Sequence, residues 1–222
     1  MSLMKKIIFF LFIISGIAVY SQGYEIRINF KNNNDTMMYL VRYQWEQQYI
    51  TDTAKRIKDG VVIFKGKRDL DKGVYTLVSQ GKSIYFDFFI NESSKFTINV
   101  NNDDIVNTLS VVGNKENEQF FSYVKFITNM NRELVDFRDK NKGNKDSAKV
   151  VGEKTKALND EVKKFDVAIM EKNKGTFLYD VLNLKMEKEA KDVPKASNGR
   201  PDSLYIYNYY KAHYWDGVNF KD

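Results

Sequence analysis

Hydrophobic and polar residues alternate with a period of two over residues 23–113, which predicts β-strands. In the stretch 24–30, apolar and polar side chains alternate without a break, as expected for a strand with one buried face. Further strands are predicted at 37–43, 48–54, 61–65, 74–79, 84–90, 95–100 and 109–112. Asn, Asp and Gly residues between them favour turns. Many short strands without intervening helices predict an antiparallel β-sandwich at residues 22–113.

After Gly113 the apolar residues recur at steps of three and four, which predicts helices. Asn114 caps the first helix, whose apolar stripe comprises Phe120, Val124, Ile127, Met130, Leu134 and Phe137. The polar run 141–144 separates it from a second helix at 146–173, whose apolar face comprises Val151, Leu158, Val162, Phe165 and Ile169. In a helical hairpin each helix covers the stripe of the other. Shorter helices are predicted at 177–190 and 202–215. The predicted fold class is therefore α+β, a sandwich followed by a helical segment at 114–222.

The N-terminus has the layout of a secretory signal peptide at residues 1–21. Lys5 and Lys6 precede an apolar run at 7–19, and the small residue Ser21 follows it. The run is shorter than the roughly 20 apolar residues that a membrane-spanning helix needs. We expect cleavage after Ser21 and a periplasmic or secreted protein. The chain has no cysteine, so we expect neither a lipid anchor on a cysteine nor membrane attachment after cleavage.

Composition narrows the classes of function. The net charge is +6, but basic and acidic residues alternate along the predicted helices, which is typical of solvated faces and not of nucleic-acid binding. Without cysteine there is no thiol nucleophile or redox pair. His213 is the single histidine, so neither a catalytic triad nor a typical zinc site is predicted. Glycine-rich phosphate-binding motifs are also missing from the sequence. We therefore expect no catalytic residue, no cofactor and no metal.

Paired carboxylates are the remaining candidates for catalysis, because two of them can hydrolyse a glycosidic bond. The available residues are Glu46, Asp69, Asp71, Asp87, Asp103 and Asp104. Several of them fall in predicted turns, where Asp is common for conformational reasons. A hydrolase therefore ranks last among the functional hypotheses.

The last predicted helix is rich in aromatic residues, and these are the candidate binding residues of the chain. They are Tyr205, Tyr209, Tyr210, His213, Tyr214 and Trp215. Aromatic rings offer rigid area that is apolar on its face and polar at its edge, which suits stacking on a sugar or packing against protein. Docking against the same or a neighbouring domain is the favoured interpretation, and binding of a glycan or peptide is the alternative.

Five segments together carry a resemblance to a known family. They are GYEIRI at 23–28, YITDTA at 49–54, VIFKG at 62–66, GVY at 73–75 and YYKAHYWD at 209–216. The chain resembles, over residues 23–222, the N-terminal region of exported TlpA/ResA-like thioredoxin-family thiol–disulfide oxidoreductases. The resemblance implies a β-rich domain of unknown function, a helical segment, and a thioredoxin-like domain that follows beyond Asp222 as the partner.

The catalytic CxxC motif of that family lies in the thioredoxin fold, which this chain does not contain. The resemblance therefore assigns no catalytic residue here and implies an accessory region that scaffolds the parent enzyme, binds a partner or forms a homodimer. The alternative hypothesis is a stand-alone periplasmic module that binds carbohydrate or peptide.

Overall fold

A computed structural model describes residues 23–55, 60–91, 93–186 and 189–218. Within these ranges the chain forms eight strands: β1 (Tyr24–Lys31), β2 (Met37–Gln44), β3 (Gln47–Lys55), β4 (Val61–Gly66), β5 (Gly73–Ser79), β6 (Ile84–Ile90), β7 (Lys95–Asn101) and β8 (Ser110–Val112). Each predicted strand is confirmed to within one residue at each end. The period-two pattern therefore located the strands well.

The strands form two four-stranded sheets that pack face to face. The first sheet has the order β4-β1-β7-β8, and the second has the order β3-β2-β5-β6. Most neighbouring pairs are antiparallel as predicted, but β1 and β7 are parallel, with Glu25 opposite Lys95 and Lys31 opposite Asn101. After β1 the chain forms the four strands of the second sheet and β4. Strand β7 then lies beside β1 and runs in the same direction. The fold class is α+β, as predicted.

The core of the sandwich lies between the two sheets. Ile26, Ile28 and Phe30 of β1 are fully buried and join one cluster with Leu77 and Phe88 of the second sheet. Burial of such a side chain contributes about 1.5–3 kcal/mol relative to leaving it exposed. These alternating positions therefore hold the two sheets together.

The helical segment comprises α1 (Ile105–Thr108), α2 (Lys115–Lys140), α3 (Ser147–Lys172), α4 (Phe177–Lys185) and α5 (Ser203–His213). The short α1 and the 3₁₀ turn at Asn102–Asp104 before it were not predicted, because so few residues show no periodicity. The helix predicted at 177–190 ends earlier, at Lys185. Met186, at the C-cap, has an extended backbone, and its N–H closes the helix on the carbonyl oxygen of Leu182.

The helices pack on the outer face of the second sheet. Phe89 of β6 joins Tyr123, Ile169 and Leu178 in a second buried cluster, and its ring centroid lies 4.4 Å from that of Phe120. The stripe predicted for α2 is half-buried, with Phe120 and Ile127 in this cluster, and Leu158 and Ile169 of the predicted α3 face are buried. The predicted hairpin is thus supported by the sheet as well as by its own two helices.

The predicted signal peptide at residues 1–21 lies outside the described residues. No helix in the described ranges is long and apolar enough to cross a membrane.

Candidate functional site

Helix α5 carries the aromatic residues predicted to bind a partner or ligand. Its first turn is fixed by Asp202, whose Oδ1 accepts hydrogen bonds from the backbone N–H groups of Leu204 at 2.9 Å and Tyr205 at 3.2 Å. The Tyr205 hydroxyl donates to the carbonyl oxygen of Lys191 at 3.2 Å. No residue of α5 is buried. The helix therefore lies on the surface, and few contacts hold it in place.

The six predicted residues do not form one surface. The half-buried ones are Tyr209, His213 and Tyr214, and the exposed ones are Tyr205, Tyr210 and Trp215. The ring centroids of Tyr209 and His213 lie 4.2 Å apart, and His213 Nδ1 lies 2.6 Å from Asp216 Oδ2. Packing within the helical segment therefore accounts for Tyr209 and His213, whereas the exposed residues remain accessible.

An open groove of about 630 Å³ runs between α5, α3 and the end of α4. Its apolar lining comprises Val167, Met186 and Tyr209. Three lysines and three acidic residues also line it, so their charges balance. The groove therefore has no electrostatic preference for a strongly charged ligand.

A buried polar network lies on one side of this groove and joins three helices. Asp166 of α3 is buried and lies near Tyr123 of α2, so that its charge acts on the Tyr123 hydroxyl. Lys185 of α4 donates through Nζ to the Tyr123 hydroxyl oxygen, and its Nζ lies 4.8 Å from the Tyr123 ring centroid. Burial and then the charge of Asp166 raise the pKa of Tyr123 above its usual range, so its hydroxyl stays protonated at neutral pH.

This network was missed in the sequence, although one signal was available. Asp166 lies four residues after Val162 and three before Ile169, which is the spacing of the inner face of α3. An acidic residue in that register has to be buried with a partner. One carboxylate oxygen, Oδ1, has no hydrogen-bond partner within the described part of the chain. We interpret the network as a brace between helices and not as a reactive site.

The candidate carboxylates serve mainly structural roles. Asp87 accepts a hydrogen bond from the Thr76 hydroxyl at 2.5 Å, and Asp104 caps α1 through the backbone N–H of Asn107. Asp69 and Asp71 line one cleft of the sandwich, which is treated below. Among the described residues, no group of three or more His, Cys, Asp or Glu side chains is placed to hold a metal ion.

Helix α5 carries four exposed apolar residues, which we call the α5 apolar surface. They are Leu204, Ile206, Tyr207 and Tyr210. Leu204 is 65% exposed and Tyr207 is 59% exposed. Residues three or four apart are neighbours on a helix, so Leu204, Tyr207 and Tyr210 form a continuous row. Of these four, only Tyr210 was among the candidate binding residues predicted from the sequence. The other three could not be selected, because the sequence does not show which side of α5 faces solvent.

Comparison with known proteins places one part of the chain. No curated protein and no solved structure matches it. A family model does match the sandwich and the first turns of α2, up to the half-buried Phe120 that packs on Phe89. Residues 24–120 are thus similar to the family described as Domain of unknown function (DUF4369).

Proposed function

We propose that this chain is a non-catalytic accessory region of an exported thioredoxin-like thiol–disulfide oxidoreductase, and that it binds the thioredoxin-fold domain through the α5 apolar surface. The observation that carries the proposal is that α5 buries none of its own residues while Leu204, Tyr207 and Tyr210 lie exposed in one row.

The energetics of α5 support a docking role. A helix of this length is marginal in water by itself, and most helical stability in proteins comes from packing of one apolar face. In α5 the inward side packs through half-buried rings, whereas Leu204, Tyr207 and Tyr210 are exposed. Contiguous exposed apolar area of this kind is typical of protein-interaction sites. A partner that covers the outer row would complete the packing of the helix.

The choice of partner rests on the resemblance of five segments to the region that precedes the thioredoxin fold in TlpA/ResA-like proteins. One of those segments, 209–216, begins within α5 and ends directly after it. The absence of cysteine from the chain supports an accessory role, because the thiol chemistry would then belong to the partner.

The proposal is tested by titrating this chain with the thioredoxin-fold domain of a TlpA/ResA-like protein from the same organism, produced as a separate protein. Leu204→Glu and Tyr207→Glu place a charge in the row and should each weaken binding by at least about tenfold, because charges are disfavoured in the core of an interface. Val135→Glu is the matched control, since Val135 is an exposed apolar residue of α2.

Two results would contradict the proposal. One is equal binding by Leu204→Glu and Val135→Glu. The other is a dimer of this chain, observed by sedimentation, that Leu204→Glu dissociates while the thioredoxin-fold domain does not bind. That result would assign the α5 apolar surface to a second copy of the chain.

A further inference from the structure

The β2–β3 hairpin extends beyond the core of the sandwich. Residues of β2 are buried or half-buried as far as Arg42, and from Tyr43 to Thr51 every residue is exposed. The ladder nevertheless continues, with Arg42 opposite Tyr49 and Gln44 opposite Gln47. The hairpin is therefore an ordered projection from the sandwich that contributes little to the core.

The inner side of this projection is polar. Directly paired residues in an antiparallel ladder point to the same side. Arg42 is opposite Tyr49 on one flank and opposite Tyr75 of β5 on the other, and Tyr75 belongs to the sandwich core. Arg42, Tyr49 and the next pair, Gln44 and Gln47, therefore lie on the side of the core, past the point where the core ends.

Arg42, Gln44 and Tyr49 form one wall of an open cleft of about 310 Å³. The opposite wall is the loop between β4 and β5, with Asp69, Leu70 and Asp71, and Tyr75 lies at the base. Arg42 is paired with the carboxylate of Asp71, and the Tyr75 hydroxyl donates to the Asp71 carbonyl oxygen at 2.9 Å. The loop is thus fixed against the hairpin, and the cleft is preformed.

The polar groups that line the cleft include both donors and acceptors. Arg42 donates through Nη2 to Gln44 Oε1 at 3.4 Å, and Tyr49 donates to Gln47 Oε1. Guanidinium, carboxylate and amide groups are planar and can each make two parallel hydrogen bonds. Such groups match neighbouring hydroxyls on one ring of a sugar, because each hydroxyl both donates and accepts.

Three aromatic side chains of the hairpin are exposed, Tyr43, Trp45 and Tyr49, and the last two lie at the tip and in the cleft. Tyr49 is 46% exposed, and Trp45 at the tip, next to Gln44, is 95% exposed. Trp45 also has a φ of +56°, in the left-handed region that favours Gly, Asn and Asp. Trp45 therefore stabilises neither the turn nor the core. Exposed rings of this kind provide flat apolar area for the C–H face of a sugar.

We propose that this cleft is a carbohydrate-binding site whose ligand is an oligosaccharide. Arg42, the cation that lines the cleft, is paired with Asp71, which disfavours phosphate or carboxylate ligands. The polar lining disfavours a lipid. A second cleft of about 410 Å³ shares Asp69 and Leu70 with this one, so there is room for more than one sugar unit. This proposal goes beyond the docking role of α5 and shares no residue with the α5 apolar surface.

The test uses the full chain and a glycan array of bacterial and plant polysaccharides, followed by calorimetric titration with cellohexaose, chitohexaose, xylohexaose and mannohexaose. We expect at least one of these saccharides to bind with a Kd on the order of 0.1–1 mM. Tyr49→Ala and Trp45→Ala should each weaken that binding about tenfold. Both residues are exposed, so thermal unfolding should show that the variants remain folded.

Tyr207→Ala is the matched control, because it removes an equally exposed tyrosine from α5 and should leave saccharide binding unchanged. The proposal is overturned if no saccharide on the array or in the titrations binds, or if Tyr207→Ala weakens binding as much as Tyr49→Ala does. Binding of an unstructured Gly-Ser-Thr peptide that is lost in Tyr49→Ala, without saccharide binding, would assign the cleft to extended peptides instead. Tyr49→Ala should not weaken binding of the thioredoxin-fold domain. One proposal can therefore fail without the other.

Discussion

The side-chain amide of Asn117 acts as a strand partner for the backbone of Phe89. Asn117 Nδ2 donates to the Phe89 carbonyl oxygen at 2.7 Å, and its Oδ1 accepts from the Phe89 N–H at 2.7 Å. Phe89 lies in β6, the edge strand of the second sheet, so both backbone groups would otherwise be buried without a partner. This pair of hydrogen bonds fixes the start of α2 to the sandwich.

Asn117→Ala should therefore lower the free energy of unfolding by about 2–4 kcal/mol, because two hydrogen bonds are lost and two buried backbone groups are left unpaired. Urea unfolding of the full chain measures the change. Asn117→Asp should be at least as destabilising at neutral pH, since it keeps the acceptor but places a carboxylate oxygen against the Phe89 carbonyl oxygen.

Asn131→Ala, at an exposed position of the same helix, is the control for this pair. It should change the free energy of unfolding by less than about 0.5 kcal/mol. Equal effects of Asn117→Ala and Asn131→Ala would show that the edge of β6 does not depend on the amide.

Phe121 extends the sandwich core into α2. It is buried in the same cluster as the strands, and its ring centroid lies 5.9 Å from that of Phe86. Phe121→Ala should cost about 3–5 kcal/mol of unfolding free energy. Phe137→Ala, at a half-buried position near the other end of α2, should cost clearly less. Urea unfolding of both variants measures these costs. If Phe121→Ala cost no more than Phe137→Ala, the sandwich would fold independently of α2.

Local sequence patterns were sufficient to predict the strands and the longer helices, but not which of them pair or pack together. The alternation in β1 and the stripe of α3 follow from local spacing, so both were found. β1 and β7 pair in parallel, although all the strands of the second sheet lie between them in the sequence. No local sequence pattern encodes this pairing. Asn117 also looked like an ordinary residue of a first helical turn, because its partner Phe89 is fixed only by the tertiary fold.

The same limit applies to the candidate sites. The aromatic residues of α5 were found by composition, but which of them are exposed depends on how the helix lies against α3. The cleft at the β2–β3 hairpin combines Arg42 and Tyr49, which meet through strand register, with Asp71 of the β4–β5 loop, which is 29 residues from Arg42 in the sequence. Asp69 and Asp71 had been noted only as carboxylates.

The raised pKa of Tyr123 predicts a specific response to alkaline pH. In the unfolded chain tyrosine ionises near pH 10, whereas burial and Asp166 keep Tyr123 protonated in the folded state. Its contribution to stability is therefore complete below about pH 10 and is lost as the pH rises further. Tyr123→Phe should make the decline above about pH 10 shallower, by up to about 1.4 kcal/mol per pH unit.

At neutral pH the same variant should be less stable than the wild type by about 1–3 kcal/mol, because the Lys185 ammonium group loses its hydrogen-bond acceptor. Urea unfolding between about pH 7 and pH 11 measures both effects. An unchanged slope above about pH 10 would contradict the assignment of this response to Tyr123.

Trp45 should lower the unfolding free energy of the protein, although its ring contributes to saccharide binding. Its left-handed backbone conformation costs an ordinary residue roughly 1–2 kcal/mol, whereas Asn adopts it readily. Trp45→Asn should therefore raise the free energy of unfolding by about 0.5–1 kcal/mol and weaken saccharide binding. Trp45→Ala removes the same ring without relieving the backbone, so it should share the loss of binding but not the gain in stability. Urea unfolding and calorimetric titration of the two variants separate these effects. An equal gain in both variants would show that the backbone of Trp45 is not strained, and unchanged binding in both would remove the ring from the site.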